Sequence, residues 1–381
     1  MTPEVFLLLV GLDGFRSDYL DRYTAPNLRA FRDGGGFATV LEPCFASTTF
    51  PNFYSMVTGL VPQRHGIIDM DFWDPRRKER FYYRDPKATG DGTWYGGTPL
   101  WVTAERAGLR SAMLFWPGST AEIGGVRPWK WFEYDPRVTR DEKVRTVLEW
   151  LALPLKERPR LVGLYFPDVD IAGHAYGPES PQTRTAVEQV DQAFGALMAG
   201  LQNVKPEVHV IVAADHGMTA VKEHVDIRAD LNGCRVTNAV VLVHVHCADT
   251  TAVNLTYGAL PKDDPRYRVY RRGEIPGHLE FSGNPRIGDV VVIPEAGYLV
   301  ELLPPGSHSG LPVLGGTHGY DPTRWSEMNG ILLAGGPRIR KGARIERART
   351  VDVHSLAVEL LQLPPDEGTD GKLSQIKGLI R

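Results

Sequence analysis

Three cysteines among 381 residues are too few to organise a fold. Cys44, Cys234 and Cys247 are an odd number without a Cys-x-x-Cys spacing, which fits neither a disulfide framework nor a thiolate zinc site. They read as small buried thiols in a core. A long apolar run is missing too. The run Val5 to Val10 is too short to span a bilayer, and no basic segment or small-residue cleavage site accompanies it. As written, the chain is therefore expected to be neither exported nor anchored, which places it in the cytoplasm. Nor is there an excess of charge of one sign: 43 Lys and Arg stand against 46 Asp and Glu, a net -3. That field does not grip a polyanion, so long nucleic acid is excluded as the main partner. Low-complexity tracts, charge blocks and repeats at solenoid periods are absent as well.

What is present is an ordinary soluble composition, 42% hydrophobic and 23% charged, which argues against disorder. Glycine and proline are plentiful but scattered, which predicts one catalytic domain over residues 1–381 with long loops. Short apolar runs alternate with helical periodicity, the pattern of an α/β fold: a mostly parallel central sheet covered by helices on both faces. Strands are expected over Val5 to Leu12, Arg110 to Trp116, Leu161 to Phe166, Val208 to Ala213 and Gly330 to Ala334. Helices are expected over Arg184 to Leu201, with Val187, Val190, Phe194, Leu197 and Leu201 on one face, and over Val351 to Leu363. From about His224 to Ser309 the pattern changes to β-rich segments, among them Ala239 to His246 and Asp289 to Ile293, and this stretch reads as an inserted smaller lobe.

In open parallel sheets ligands gather beyond the carboxyl ends of the strands. Three runs end in polar residues there: Asp13-Gly14 after the first, Asp168, Asp170 and His174 after the third, Asp215-His216-Gly217 after the fourth. A further cluster, Thr317 to Asp321 with His318, precedes the late strand. Any one of these has a structural explanation, as a helix cap or a turn. Together they supply carboxylates and imidazoles that suit two divalent ions, zinc first. Asp170 and His174 stand four apart, so one helical turn presents both to one ion. A nucleophile is sought in Phe45 to Asn52, where Ser47, Thr48 and Thr49 precede a helix-like stretch. Ser47 or Thr48 is expected to cap that helix, and Asn52 to donate its amide to a phosphate oxygen.

These residues resemble the nucleotide pyrophosphatase/phosphodiesterase family of the alkaline phosphatase superfamily. The likeness is carried by LDG at Asp13, TFPN at Thr49 to Asn52, DIAGHAYGP from Asp170, ADHGM around Asp215 and GTHGYDP around His318, in the family's order along nearly the whole chain. The resemblance implies two zinc ions, one held by Asp170, His174 and His318, the other by Asp13, Asp215, His216 and the Thr49 oxygen. It selects Thr49 as the nucleophile that forms a covalent phosphothreonine-type intermediate. It implies a phosphate-binding role for Asn52 and nucleobase stacking by Phe50 and Tyr165. Substrates would be small-molecule nucleotides, cleaved to nucleoside 5'-monophosphates. Family members usually work outside the cytoplasm, against the expectation above. The chain also departs from the family's Tyr-Phe-Glu at Tyr165-Phe166-Pro167-Asp168.

Rival readings differ in chemistry. A sulfatase needs Cys or Ser before x-Pro-x-Arg, which Thr49-Phe50-Pro51-Asn52 does not supply. A phosphomonoesterase would share the ligands but add a cationic group near Thr49. A non-catalytic phosphate binder would have lost a ligand or the nucleophile. A lipid-headgroup (choline-phosphate ester) phosphodiesterase remains the main alternative, because aromatic rings also bind quaternary ammonium. His244 and His246 share a strand face but lack a carboxylate, and the run Arg266, Arg268, Arg271, Arg272 reads as a solvated loop.

Overall fold

The computed structural model describes residues 5–239, 241–308, 310, 313–364 and 368–381. Its centre is an eight-stranded sheet in the order Ala343–Arg349, Gly36–Glu42, Gly330–Gly335, His209–Ala213, Leu7–Leu12, Leu161–Phe166, Ser111–Leu114, Lys130–Trp131. Neighbours pair in parallel except Gly330–Gly335, which runs antiparallel to both strands beside it. The central strands Leu7–Leu12 and Leu161–Phe166 are buried at every position, as a sheet covered on both faces requires of unbroken apolar runs.

The helix Thr49–Thr58 has all but one of its residues buried, including a polar stripe of Thr49, Asn52, Ser55 and Thr58 spaced three apart. It lies so close to the sheet that a Cβ on Gly11 would meet the Phe53 ring at 2.5 Å. The helix expected from Arg184 begins at Pro181, because Ser180 caps it through the Thr183 amide and proline suits the first helical position. Its buried stripe contains Val187, Val190, Phe194 and Leu197.

Between Glu223 and Leu303 a second hydrophobic cluster forms around Val225, Val243, Val245, Val290, Val292 and Val300. A four-stranded antiparallel sheet (Arg235–Asn238, Val243–His246, Val290–Pro294, Tyr267–Arg271) and a parallel pair (Glu223–Arg228, Tyr298–Leu303) enclose it with the helix Thr250–Ala259. The reading of three free thiols is corrected here. Cys234 and Cys247 are disulfide-bonded, and Cys44 alone is free and buried. The cause is register: Arg235 pairs with His246 across antiparallel strands, which sets the two flanking cysteines face to face. The basic run, read as a solvated loop, is instead the strand Tyr267–Arg271 with its flanking residues, and its cations are paired. Arg266 pairs with Asp264 and Glu223, Arg271 with Glu274, and Arg272 with Asp289.

Candidate active site

The polar residues after the strands meet at one end of the sheet. Strand Leu7–Leu12 delivers Asp13, whose amide bonds the Phe166 carbonyl at 2.9 Å. Gly14 follows with φ +66, and a Cβ there would stand 2.8 Å from the Asp170 Cα, so only glycine lets the two segments approach. The Gly14 amide donates to Asp215 Oδ1 at 3.2 Å. Strand His209–Ala213 ends two residues before Asp215, and the turn that follows lets Asp215 and His216 face the same point. Asp170 and His174 both lie on the helix Asp168–Tyr176, one turn apart as their spacing predicts, with His174 Nε2 3.4 Å from Asp170 Oδ1.

The three imidazoles are held alike. Nδ1 of His174 contacts the Gly316 carbonyl at 2.9 Å, Nδ1 of His216 the Gly217 carbonyl at 2.8 Å, and Nδ1 of His318 the Ser47 carbonyl at 2.9 Å. A carbonyl only accepts, so each Nδ1 carries a proton, and in the neutral ring each Nε2 turns a lone pair toward the cluster. His174 Nε2 and His318 Nε2 then face each other at 3.1 Å with no proton to share. Asp170 Oδ1 and Asp215 Oδ2 are buried there without a hydrogen-bond donor. Burial, with Asp170 and Asp215 adding repulsion, pushes the Asp13 carboxyl well above the usual range; burial and Asp170 do the same to Asp215. Burial, followed by the neighbouring His216 and His174, drives His318 well below the ordinary histidine value. Convergent lone pairs and crowded carboxylates fit positive charge at this position. Two groups lie close enough to share an ion among the described residues: Asp13, Asp215 and His216, and Asp170, His216 and His318.

Thr49 opens its helix beside this cluster, Oγ1 3.4 Å from Asp13 Oδ1 and 3.2 Å from His216 Nε2. Neither neighbouring hydroxyl caps the helix, contrary to expectation. Ser47 Oγ donates to the Tyr320 carbonyl at 2.8 Å and ties the His318 loop to the loop that carries Thr49. Thr48 makes no cap bond and turns to Asp69 instead.

Two sequence assignments are corrected. Asn52 is fully buried, its Nδ2 donating to the carbonyls of Cys44, Ala46 and Thr48 and its Oδ1 accepting from the Cys44 amide and the Thr350 hydroxyl. Its amide is spent on shaping the loop and has no donor left for phosphate. Tyr165 is 9% exposed, packs edge-on to Phe53, and donates its hydroxyl to Asp13 Oδ2. It orients a carboxylate rather than offering a free ring. The exposed ring beside it is Tyr134, at 48% exposure with its centroid 6.3 Å from that of Tyr165. Its position on an irregular loop hid it from sequence reasoning. Phe50 is partly buried and packs edge-on to Phe81 and Tyr83. Asp168 pairs with Arg140 outside the cluster. Lys143, also missed, is buried behind the site with its ammonium on the Tyr165 carbonyl at 3.3 Å. Among the described residues no helix is long and apolar enough to cross a membrane.

A family model described as type I phosphodiesterase / nucleotide pyrophosphatase matches residues 7–321. An uncharacterized pyrophosphatase/phosphodiesterase of Schizosaccharomyces pombe is 34% identical over 386 residues, covering 95% of this chain and 78% of its own length. Ectonucleotide pyrophosphatase/phosphodiesterase family member 3 of Bos taurus is 32% identical over 98% of this chain, which spans 44% of that relative. Murine ectonucleotide pyrophosphatase/phosphodiesterase 5, solved as an inactive threonine-to-alanine variant with AMP, superposes with a TM-score of 0.92 at 28% identity, covering 99% of this chain and 100% of that one. With its ordered motifs, its alkaline phosphatase-like sheet and these likenesses, the chain belongs to the type I phosphodiesterase / nucleotide pyrophosphatase family.

Proposed function

We propose that this chain hydrolyses phosphodiester and pyrophosphate bonds of nucleotides, releasing nucleoside 5'-monophosphates, with Thr49 as the nucleophile. The observation that carries the reading is the Thr49 hydroxyl at the start of a buried helix, within 3.4 Å of Asp13 and His216 in a cluster of three carboxylates and two imidazoles that His174 adjoins through His318 and Asp170. Two zinc ions, one held by Asp170, His174 and His318 and the other by Asp13, Asp215, His216 and Thr49, would supply charge that lowers the proton affinity of the hydroxyl and offsets that of the phosphoryl oxygens.

Thr49 Oγ1 forms a bond to phosphorus while the bond to the leaving alcohol or pyrophosphate breaks on the opposite side. Water then cleaves the nucleotidyl-threonine at the same phosphorus, freeing Thr49. Tyr165 holds Asp13 in place, and Ser47 holds the His318 loop against the Thr49 loop. Phe50 and Tyr134 are the rings available to a nucleobase, a stacking contact of about 1 to 3 kcal/mol. The AMP complex of the murine relative supports this substrate class. The Cys234–Cys247 disulfide favours an oxidising compartment over the cytoplasmic expectation.

The test is turnover of p-nitrophenyl thymidine 5'-monophosphate, p-nitrophenyl phosphate and p-nitrophenyl phosphorylcholine by zinc-loaded and chelated protein. Zinc-dependent preference for the nucleotide diester is expected. Preference for the choline ester would move the substrate to lipid headgroups, and preference for the monoester would overturn the diesterase assignment.

A further inference from the structure

Behind the nucleophile loop lies a buried acid–imidazole pair that the chemistry above does not use. Asp69 is 2% exposed, and its Oδ1 accepts from the Met70 amide at 2.8 Å and from the Thr48 hydroxyl at 3.4 Å. Its Oδ2 is buried without a hydrogen bond, and 3.6 Å away stands Nε2 of the fully buried His244, likewise without one. The Gly288 amide donates to His244 Nδ1 at 3.3 Å, so the imidazole proton sits on Nε2 and faces Asp69. His244 belongs to the strand Val243–His246 and is held opposite Thr237 and Val291. Thr48, at the other end, occupies the cap position of the Thr49–Thr58 helix with extended backbone (φ -122, ψ 160) and spends its hydroxyl on Asp69 rather than on a helix amide. A Cβ placed on Gly319, next to His318, would meet the Thr48 methyl at 3.3 Å and Val241 at 3.2 Å, so Thr48 is wedged between the His318 loop and Asp69.

A buried carboxylate with a distant partner costs free energy that apolar packing at the same seam would not. In return it fixes direction: Oδ1 is held by the Met70 amide, and the attraction between Oδ2 and the imidazole 3.6 Å away favours one orientation of the carboxylate. We propose that Asp69 and His244 are positioning residues for the nucleophile. His244 Nε2–H orients Asp69 electrostatically across 3.6 Å, Asp69 accepts from the Thr48 hydroxyl, and the backbone of Thr48 sets where Thr49 Oγ1 meets phosphorus. The segment carrying His244 thereby takes part in the geometry of the reaction. This inference rests on the nucleophilic role of Thr49.

The experiment compares wild type with His244→Ala, His244→Gln, Thr48→Ala, the His244→Ala/Thr48→Ala double variant, and Val292→Ala. The last opens a cavity in the second hydrophobic cluster, on the strand face opposite that of Val291, the partner of His244. For His244→Ala, kcat on p-nitrophenyl thymidine 5'-monophosphate should fall about tenfold or more, as small displacements of a reacting atom do. KM should stay within about twofold, and bound zinc should be unchanged. His244→Gln, which restores an N–H donor, should recover most of the loss. Thr48→Ala should cost much less in the His244→Ala background than in wild type, because the two act in series. Affinity for orthovanadate, a mimic of five-coordinate phosphorus, should fall with kcat while affinity for AMP does not. The proposal is overturned if His244→Ala leaves kcat and vanadate affinity unchanged, if the two losses multiply, or if Val292→Ala lowers kcat as much. A wild-type chain that turns over no phosphodiester would instead sink the function proposed above, and vanadate affinity would still judge the pair.

Discussion

Replacing Lys143 with methionine isolates the cost of one buried amine. Lys143 lies on the helix Arg140–Leu151, which Thr139 and Glu142 start with a reciprocal capping box. It is 3% exposed, and its ammonium lies between the rings of Phe115 and Phe166, 5.5 Å from each centroid. Burial, only partly opposed by Asp168, pushes the amine down to about 8 from the usual 10.5. Between those values the unfolded chain binds a proton that the folded chain does not, so stability rises with pH across this window. Below pH 8 both states are protonated and the full penalty applies, about 3 kcal/mol at roughly 1.4 kcal/mol per pH unit. Near pH 10 the penalty has shrunk to about 1 kcal/mol. Methionine keeps the unbranched stem and cannot titrate. The stability difference, Lys143→Met minus wild type, should therefore fall by about 2.5 kcal/mol from pH 7 to pH 10, whatever the lost bond to Tyr165 costs. Urea unfolding of zinc-loaded protein at the two pH values measures it. A difference that stays constant would mean that Lys143 has an ordinary pKa, and the account of its burial would be refuted.

Thr49→Ala should retain zinc, measured by metal analysis, while losing turnover; retained activity would transfer the nucleophile to Thr48 or to water. Tyr165→Phe removes the hydroxyl that holds Asp13, so zinc affinity by chelator competition should drop about 10- to 100-fold with the circular dichroism spectrum unchanged. Gly14→Ala forces a methyl against the Asp170 backbone and a side chain into φ +66, so it should lower both zinc content and thermal stability; a variant with full zinc occupancy would show that the 2.8 Å approach is not needed. Thiol labelling of denatured protein should find one free cysteine, Cys44, before reduction and three after it. Reduction should cost about 3 kcal/mol of stability for a loop of this length, read as a lower urea midpoint.

The strands that position the site were legible because a doubly covered strand must be apolar at every position. Leu161–Phe166 matches its sequence reading end to end, and Leu7–Leu12 and His209–Ala213 differ by a residue or two. The strands Gly36–Glu42 and Ala343–Arg349 escaped because their few buried positions follow neither an unbroken apolar run nor a strict alternation, and the edge strand ARIERAR is mostly charged. The metal-ligating types and the Asp170–His174 spacing were equally readable, since a strand end or one helical turn is local. Tertiary structure alone decided everything that depends on a remote partner. The antiparallel register joined Cys234 to Cys247, the loop closure consumed the amide of Asn52, and the strand next to Asp13 turned Tyr165 from a stacking ring into a carboxylate holder. His244 lacked a carboxylate in sequence and found Asp69, 175 positions away, in space. Periodicity records which face of an element is buried, because burial acts on each residue alone; it does not record which donor meets which acceptor, because that is a property of two segments and the path between them.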